Sequence, residues 1–294
     1  MGDICWSRGI FLKGCVIISV SVLSTQHRKS DMSKAYPSNL TRAQYEFLSD
    51  MVPEPLPGGR PREVDMWEIL NAIFYVLCEG VRWRALPGDF PTWQTVYTYF
   101  RNWRKDGTWV QMHDRLREWT RIEAQRHPSP SEAIIDRQSV KSAAMVSQEV
   151  GFDGGKLLKG RKRFITVDTL GLVLRVLVTA ANVGERSGGK QVLQQVKQMG
   201  KAVSRLHTIW TDGGFDGEPL MQWVMDFCRW IVLVVLRPAQ SNGFVLLKKR
   251  WVVERTFGWL MGCRRLVRDY ELLPETSETL IYLAMIRIMV RRLA

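Results

Sequence analysis

The chain has 294 residues, of which 46% are hydrophobic and 24% are charged. This composition excludes disordered, collagen-like and fibrous proteins, because so apolar a chain can bury a core, and the length suggests about two domains. Lys and Arg number 42 against 29 Asp and Glu, and the formal charge of +13 indicates a polyanionic partner, nucleic acid first and an anionic membrane second. The five cysteines form no CxxC pair, which disfavours a disulfide framework and a zinc finger.

Two apolar stretches, Gly14–Leu23 and Ile231–Leu236, are too short for a membrane span, which needs about 20 residues. The first follows basic residues and superficially resembles a signal peptide, but it is rich in serine and no clear cleavage site follows it. We therefore expect residues 1–31 to be a dispensable extension and the protein to be cytoplasmic.

A turn-rich stretch at 53–61 and a linker at 127–131 interrupt the chain, and the pattern between them is helical. The predicted helices are Met66–Glu79, Thr92–Lys105 and Thr108–Arg126. The third has an apolar stripe with charged residues on the opposite face, formed by Trp109, Met112, Leu116, Trp119 and Ile122. The pattern predicts a small helical domain over residues 32–130.

Residues 131–294 change to an alternating pattern and carry +10 of the formal charge. The predicted strands are Ala133–Asp136, Phe164–Asp168, Leu172–Ala180, Leu206–Asp212 and Ile231–Arg237. The predicted helices are Gly189–Met199, Gly217–Trp230, Arg250–Met261 and Ile281–Leu293. This order predicts an α/β domain with a mixed sheet flanked by helices.

Three carboxylates in this basic domain occupy positions that are typical of ligand-binding sites. Asp136 and Asp212 end predicted strands, where ligands bind in α/β sheets, and Glu254 lies on a predicted helix after a basic triplet. Acids amid positive charge suit Mg²⁺ ions shared with phosphate oxygens, and two ions about 4 Å apart support phosphodiester transfer. An acid at a strand end is often only a turn residue, so these residues alone favour a metal site without establishing it.

Six motifs occur in order over most of the chain. They are GVRWRALP at Gly80–Pro87, D-x-Q-S-V-K at Asp136–Lys141, KGRKR at Lys159–Arg163, VDTLGL at Val167–Leu172, DGG at Asp212–Gly214 and RWVVERTF at Arg250–Phe257. From about Pro37 onward, the chain resembles bacterial insertion-sequence transposases of the DDE class, of the insertion-sequence-five type. Arg137 departs from the small residue that usually follows the first aspartate of that family.

The resemblance implies an RNase H-like catalytic domain preceded by a small all-α, helix-turn-helix-like domain. Carried over, its catalytic and metal-binding triad is Asp136, Asp212 and Glu254, holding two Mg²⁺ ions for which Mn²⁺ substitutes. The implied reaction is cleavage at the terminal inverted repeats and attack of the freed 3′-OH on target DNA. Double-stranded DNA is the implied partner, with a homodimer or higher oligomer and no membrane. Asp153, Asp168 and Asp216 are expected to serve hairpins or turns.

The resemblance also focuses attention on residues that can contact DNA. For end recognition by the helical domain, the candidates are Arg82, Arg84, Gln94, Arg101, Asn102 and Arg104. For sequence-independent phosphate contacts, they are Lys141, Lys159, Arg161, Lys162, Arg250, Arg255, Arg264 and Arg265. The aromatic residues of the Thr92–Lys105 helix can equally form core, so groove entry by this helix is an open alternative.

Two other functions remain open from the sequence. One is a catalytically decayed DNA-binding regulator, and the other is an RNase H-like nuclease without strand transfer. Mg²⁺-dependent nicking of the correct DNA ends would distinguish an active enzyme from the decayed regulator. Joining of the cleaved ends to target DNA would distinguish a transposase from the nuclease. A membrane binder is the weakest alternative, because the charge lies in an α/β domain and not on one amphipathic helix.

Overall fold

The computed structural model describes residues 36–55, 58, 61–236, 247 and 249–294. The expectation of a dispensable extension at residues 1–31 concerns residues outside this range. Part of the turn-rich stretch at 53–61 also lies outside it. Within the range, no helix is both long and apolar enough to cross a membrane.

In the described part of the chain, four α-helices precede the sheet: α1 (Arg42–Ser49), α2 (Met66–Glu79), α3 (Trp93–Lys105) and α4 (Thr108–Glu123). The bounds of α2 follow from its caps, because Asp65 accepts the N–H of Trp67 and Gly80 adopts a left-handed conformation at φ 73°. The predicted bounds of α2 are confirmed, and those of α3 are confirmed to within one residue. The sequence analysis missed α1, which begins at a capping box.

Helix α4 corrects one prediction. It ends at Glu123, three residues early, and Ile122 of the expected buried stripe is 55% exposed. Arg117 and Arg121, expected on the exposed face, are instead buried. Arg121 forms an ion pair with the buried Asp168, so this face of α4 packs against charged partners that the local pattern does not reveal.

The sheet has six strands: β1 (Glu132–Lys141), β2 (Gly151–Asp153), β3 (Leu158–Asp168), β4 (Val173–Ala180), β5 (Thr208–Thr211) and β6 (Ile231–Val234). Their order is β2-β3-β1-β5-β6, with β4 also paired to β3. Strands β1, β5 and β6 are parallel, whereas β2, β3 and β4 form antiparallel pairs. The predicted mixed sheet and the predicted β3–β4 hairpin are confirmed.

Strand β1 extends well beyond its predicted end at Asp136. It runs to Lys141 because its second half pairs antiparallel with β3, in a register that places Arg137 opposite Phe164. Its parallel pairing with β5 stops at Ile134. Asp136 therefore lies in the middle of a strand, just past the last residue that pairs with β5.

Among the described residues after β4, there are five α-helices: α5 (Glu185–Gln198), α6 (Glu218–Trp223), α7 (Arg250–Met261), α8 (Arg264–Val267) and α9 (Pro274–Leu293). The predicted bounds of α7 are confirmed. Helix α6 is shorter than predicted, because a π-helical turn at Val224–Cys228 replaces its second half. Helices α5 and α9 begin earlier than predicted, and β6 ends before the predicted Arg237, which lies outside the described residues.

The two faces of the sheet bury separate cores. Ile134 and Val167 pack with α2–α4, α7 and α9, whereas Ile135 and Phe164 pack on the other side with α5. The helical segment thus shares a core with one face of the sheet. The division into domains near residue 130 stays a prediction.

Gly188 sets how closely α5 approaches the sheet, because a Cβ there would lie 2.2 Å from the Phe164 ring. We predict that Gly188→Ala lowers the free energy of unfolding by about 1–3 kcal/mol through overpacking. Gly258→Ala in α7 is the matched control, because its Cβ meets nothing within 4 Å. The control should gain up to about 1 kcal/mol in helix propensity. Urea denaturation measures both, and equal effects would contradict the packing role.

Glu278 on α9 gives a pH-dependent prediction. Burial raises its pKa to about 7 from an ordinary value of 4.5, although its Oε1 accepts the N–H of Val178 at 2.9 Å. The folded protein therefore binds the proton more tightly than the unfolded chain does. The resulting stability is complete below pH 4.5 and is lost as the pH rises towards 7.

We predict that Glu278→Gln, which is neutral at every pH, stabilises the fold by about 2–4 kcal/mol at pH 8 and hardly at pH 4. Thermal or urea unfolding of both proteins across this pH range measures the difference. A pH-independent difference would show that the pKa of Glu278 is the same in the folded and unfolded chain.

Candidate active site

The three predicted carboxylates come from three different elements. Asp136 is only 6% exposed, and side-chain alternation along β1 turns it to the face of Ile134, on which α7 packs. Asp212 follows β5, and its Oδ1 accepts the N–H of Gly214 at 3.0 Å, which caps a short 3₁₀ turn. Glu254 lies on α7 with a half-exposed side chain.

All three carboxylates surround one nitrogen of Arg250. A terminal nitrogen of its guanidinium lies 4.0 Å from Oδ2 of Asp136, 3.8 Å from Oδ2 of Asp212 and 3.5 Å from Oε1 of Glu254. Arg250 and Glu254 are four residues apart, so they share one face of α7. The structure therefore brings the predicted triad together, and it places Arg250 among the carboxylates.

The pKa of Asp136 shows how closely these charges interact. Burial, the largest cause, and the negative charge of Asp212 together raise it to about 6. The Arg137 N–H, which donates to Oδ1 of Asp136 at 2.7 Å, opposes the rise, as do the charges of Arg250 and Arg137. The site therefore concentrates negative charge that only a nearby cation makes tolerable.

A second ion pair borders the triad and was not predicted. One terminal nitrogen of the Arg137 guanidinium pairs with Glu185 in the first turn of α5. The other terminal nitrogen of Arg137 lies 4.0 Å from Oδ2 of Asp212. Arg137 follows Asp136 on β1, so it points to the opposite face of the sheet, where α5 lies. The sequence carried little signal for Glu185, which precedes the predicted start of its helix by four residues.

An open cleft of about 680 Å³ lies beside the triad. Its charged and polar lining residues are Asp136, Arg137, Gln138, Ser139, Asp153, Lys156, Glu185, Arg250 and Glu254. The lining thus contains both acidic and basic side chains, a mixture compatible with a phosphate and a bound cation.

The donor set suits a hard divalent cation. The triad offers only carboxylate oxygens, which Mg²⁺ and Mn²⁺ prefer, and these already surround the positively charged nitrogen of Arg250. Among the residues that the structure describes, no three acidic, His or Cys side chains are gathered closely enough to hold a metal ion. The donor chemistry therefore suits a divalent cation, whereas in this structure the cation that the carboxylates surround is Arg250.

All three other aspartates were predicted to serve hairpins or turns, and the side chains of two of them do so. Asp153 accepts backbone N–H groups of Gly155 and Lys156 in the β2–β3 turn. Asp168 accepts two N–H groups in the β3–β4 turn. Asp216 is exposed beyond the 3₁₀ turn that follows Asp212.

Helix α3 separates its polar face from its core face. Gln94, Arg101 and Asn102 are exposed, whereas Phe100 and Trp103 are buried. Part of the aromatic set is therefore core, and the predicted base-reading residues face outward. The other three end-recognition candidates are Arg82 and Arg84, both exposed beside a 3₁₀ turn, and Arg104, which donates to Thr276 on α9 at 2.9 Å.

The structure contradicts three predicted phosphate contacts. Arg161 is fully buried and donates to Asp269 and to backbone carbonyls. Lys162 is 6% exposed and donates to a backbone carbonyl at 2.8 Å, and Arg265 is 8% exposed and paired with Glu271. Their positive charges satisfy partners inside the fold and do not reach solvent.

The remaining candidates fall into two groups. Lys141, Lys159 and Arg264 are exposed and open to phosphate. Arg255 instead lies over the rings of Trp251 and Trp259, 4.4 Å and 4.5 Å from their centroids, and donates to a backbone carbonyl.

The strand order and the flanking helices fit an RNase H-like α/β fold, as the resemblance implied. A family model described as "Transposase DDE domain" matches residues 118–289, and the chain belongs to this family. A second model, described as "Putative transposase of IS4/5 family", matches residues 40–113.

A named relative agrees with this assignment. Over 116 residues the chain is 32% identical to a Burkholderia cepacia protein named "Putative transposase for insertion sequence element IS402". The match covers 38% of this chain and 54% of the relative, so the chain spans about half of the relative's length. A solved piggyBac transposase synaptic complex with hairpin DNA aligns with a TM-score of 0.40 and 9% identity, over 83% of this chain and 70% of that one. Similarity at that level adds nothing to the assignment.

Proposed function

We propose that this protein cleaves and joins DNA at the terminal inverted repeats of an insertion sequence, in a reaction that depends on a divalent metal. The supporting observation is the convergence of Asp136, Asp212 and Glu254 on one cationic nitrogen, in a chain of the DDE transposase family. Each of these carboxylates is carried by a different element, and Asp136 and Glu254 line one open cleft.

The three carboxylates would hold two Mg²⁺ ions, or Mn²⁺ in their place. When bound, such ions activate the attacking oxygen and stabilise the leaving one. Asp136 offers Oδ2, because its Oδ1 is committed to the Arg137 N–H. Arg250 adds positive charge beside the carboxylates, where a phosphate of the bound strand brings more negative charge.

The reaction has two steps in this proposal. Water attacks a phosphodiester at the element's end, and the bond to the 3′ oxygen breaks and leaves a 3′-OH. That hydroxyl then attacks a target phosphodiester and displaces its 3′ oxygen, so the strands join without a covalent link to the protein. Two ends must be held together, which favours a dimer or larger assembly on DNA in the bacterial cytoplasm.

Helix α3 is our candidate for reading the inverted repeats. Its exposed face carries Gln94, Arg101 and Asn102, whose side chains can form hydrogen bonds with base edges in a major groove. Arg82 and Arg84 flank the start of this helix on an exposed turn. Lys141, Lys159 and Arg264 are the exposed cations that would contact the DNA backbone.

We predict that Asp136→Asn, Asp212→Asn and Glu254→Gln each reduce Mg²⁺-dependent end cleavage at least 1000-fold and change DNA affinity little, because each removes one negative charge from the cation site. Cleavage of labelled DNA ends and a gel-shift assay measure the two effects. The exposed Asp216→Asn is the matched control and should keep full cleavage. Retained cleavage in the triad variants would refute the assignment. If the wild-type protein binds the DNA ends but does not cleave them, it is a decayed regulator. If it cleaves the ends but does not join them to target DNA, it is a nuclease.

We predict that Arg101→Ala weakens binding to the inverted repeat by about 5- to 100-fold, because it removes a side chain that reads base edges. Arg115→Ala removes an exposed arginine from α4 and is the control, since its guanidinium lies over Trp119. Fluorescence anisotropy with specific and scrambled DNA measures both. Equal losses on the two DNAs would show that Arg101 contacts only the backbone.

A further inference from the structure

Glu185 is a fourth carboxylate at the edge of the candidate site. Both Nε and one terminal nitrogen of Arg137 pair with its Oε1. The other terminal nitrogen of Arg137 lies 4.0 Å from Oδ2 of Asp212. Arg137 therefore stands between two acids, one belonging to the triad and one outside it, and it makes close contact with the outer one.

The fold makes room for this arrangement. A Cβ on Gly214 would lie 1.5 Å from Oε2 of Glu185, so only glycine at that position lets Glu185 reach the site. Gly188 and Gly189 hold the first turns of α5 against the sheet, because Cβ atoms there would lie 2.2 Å and 2.7 Å from the rings of Phe164 and Phe215. Three glycines thus permit the placement of a single carboxylate.

Arg137 has an alternative partner if Glu185 is neutral. Its guanidinium can then pair fully with Asp212, which is already near the guanidinium of Arg250. Each additional positive charge on Asp212 competes with a divalent cation for the same oxygens. Opposite charges about 4 Å apart near a protein surface interact strongly enough to change cation affinity by more than tenfold.

We propose that Glu185 is a positioning residue that holds Arg137 away from Asp212 and so keeps Asp212 available to a divalent cation. This inference rests on the proposed function, because it assumes that the triad binds metal. Arg137 stands where the family usually has a small residue, and in this proposal the charge of Glu185 compensates for the charge of Arg137. Neither residue needs to touch the metal or the DNA for this role.

The test is direct measurement of Mn²⁺ binding to the full chain by electron paramagnetic resonance, without DNA or turnover. Four proteins are compared: wild type, Glu185→Gln, Arg137→Gln and the double variant. We expect Glu185→Gln to weaken Mn²⁺ binding at least fivefold and the double variant to return within threefold of wild type. Arg137→Gln alone should bind Mn²⁺ at least as tightly as wild type, because it frees a carboxylate.

Three results would overturn this role of Glu185. They are a loss below fivefold in Glu185→Gln, a double variant that stays as weak as Glu185→Gln, and weaker binding in Arg137→Gln. Glu218→Gln is the matched control, because it removes one exposed acid from the first turn of α6 and should change affinity less than twofold. If thermal denaturation shows that Glu185→Gln is not folded, Gly214→Ala is used in its place with the same criteria, because a Cβ on residue 214 displaces the Glu185 side chain.

A separate result tests the proposed function itself. Asp136→Asn should bind Mn²⁺ far more weakly than wild type. If the wild type binds no Mn²⁺, the proposed metal-dependent function fails and the role of Glu185 fails with it. If the wild type binds Mn²⁺ and Glu185→Gln binds equally well, only the role of Glu185 fails.

Discussion

The arrangement of this site depends on three carboxylates held close to one guanidinium, one of them nearly buried. Burial and the negative charge of Asp212 raise the pKa of Asp136 to about 6, so a nearby cation favours its ionised form. Arg250 supplies that cation from the same helix as Glu254. The negative charge of the site is thus partly offset by its own arginines, and a divalent ion has to compete with them for the same oxygens.

Several positively charged side chains of residues 131–294 bind partners inside the fold. The net +10 of residues 131–294 suggested a DNA-binding surface. Arg161 and Arg163 are fully buried, and they donate to Asp269 and to backbone carbonyls more than 100 residues away in sequence. Buried arginines of this kind stabilise only while every partner is present. The surface available to DNA is consequently less basic than the net charge suggests.

The sequence predicted elements well where local signals mark their ends. The bounds of α2 follow from Asp65 and Gly80, and Asp212 was identified from its Gly-Gly turn and family motif. Strand β1 was predicted too short because its second half is polar and pairs with the basic half of β3, so no apolar alternation marks it. The burial of Arg161 and the approach of Glu185 to Arg137 could not be predicted, since both depend on contacts between residues distant in the chain.

The core shared by the helical segment and the sheet has a mechanical consequence. Helices α3, α4 and α7 contribute side chains to one hydrophobic core, and Arg104 of α3 donates a hydrogen bond to Thr276 at the start of α9. Because close-packed interiors transmit strain, a displacement of α3 would be felt in the packing around α7, which carries Glu254. If α3 reads the DNA ends as proposed, end binding and the position of Glu254 are coupled through this core.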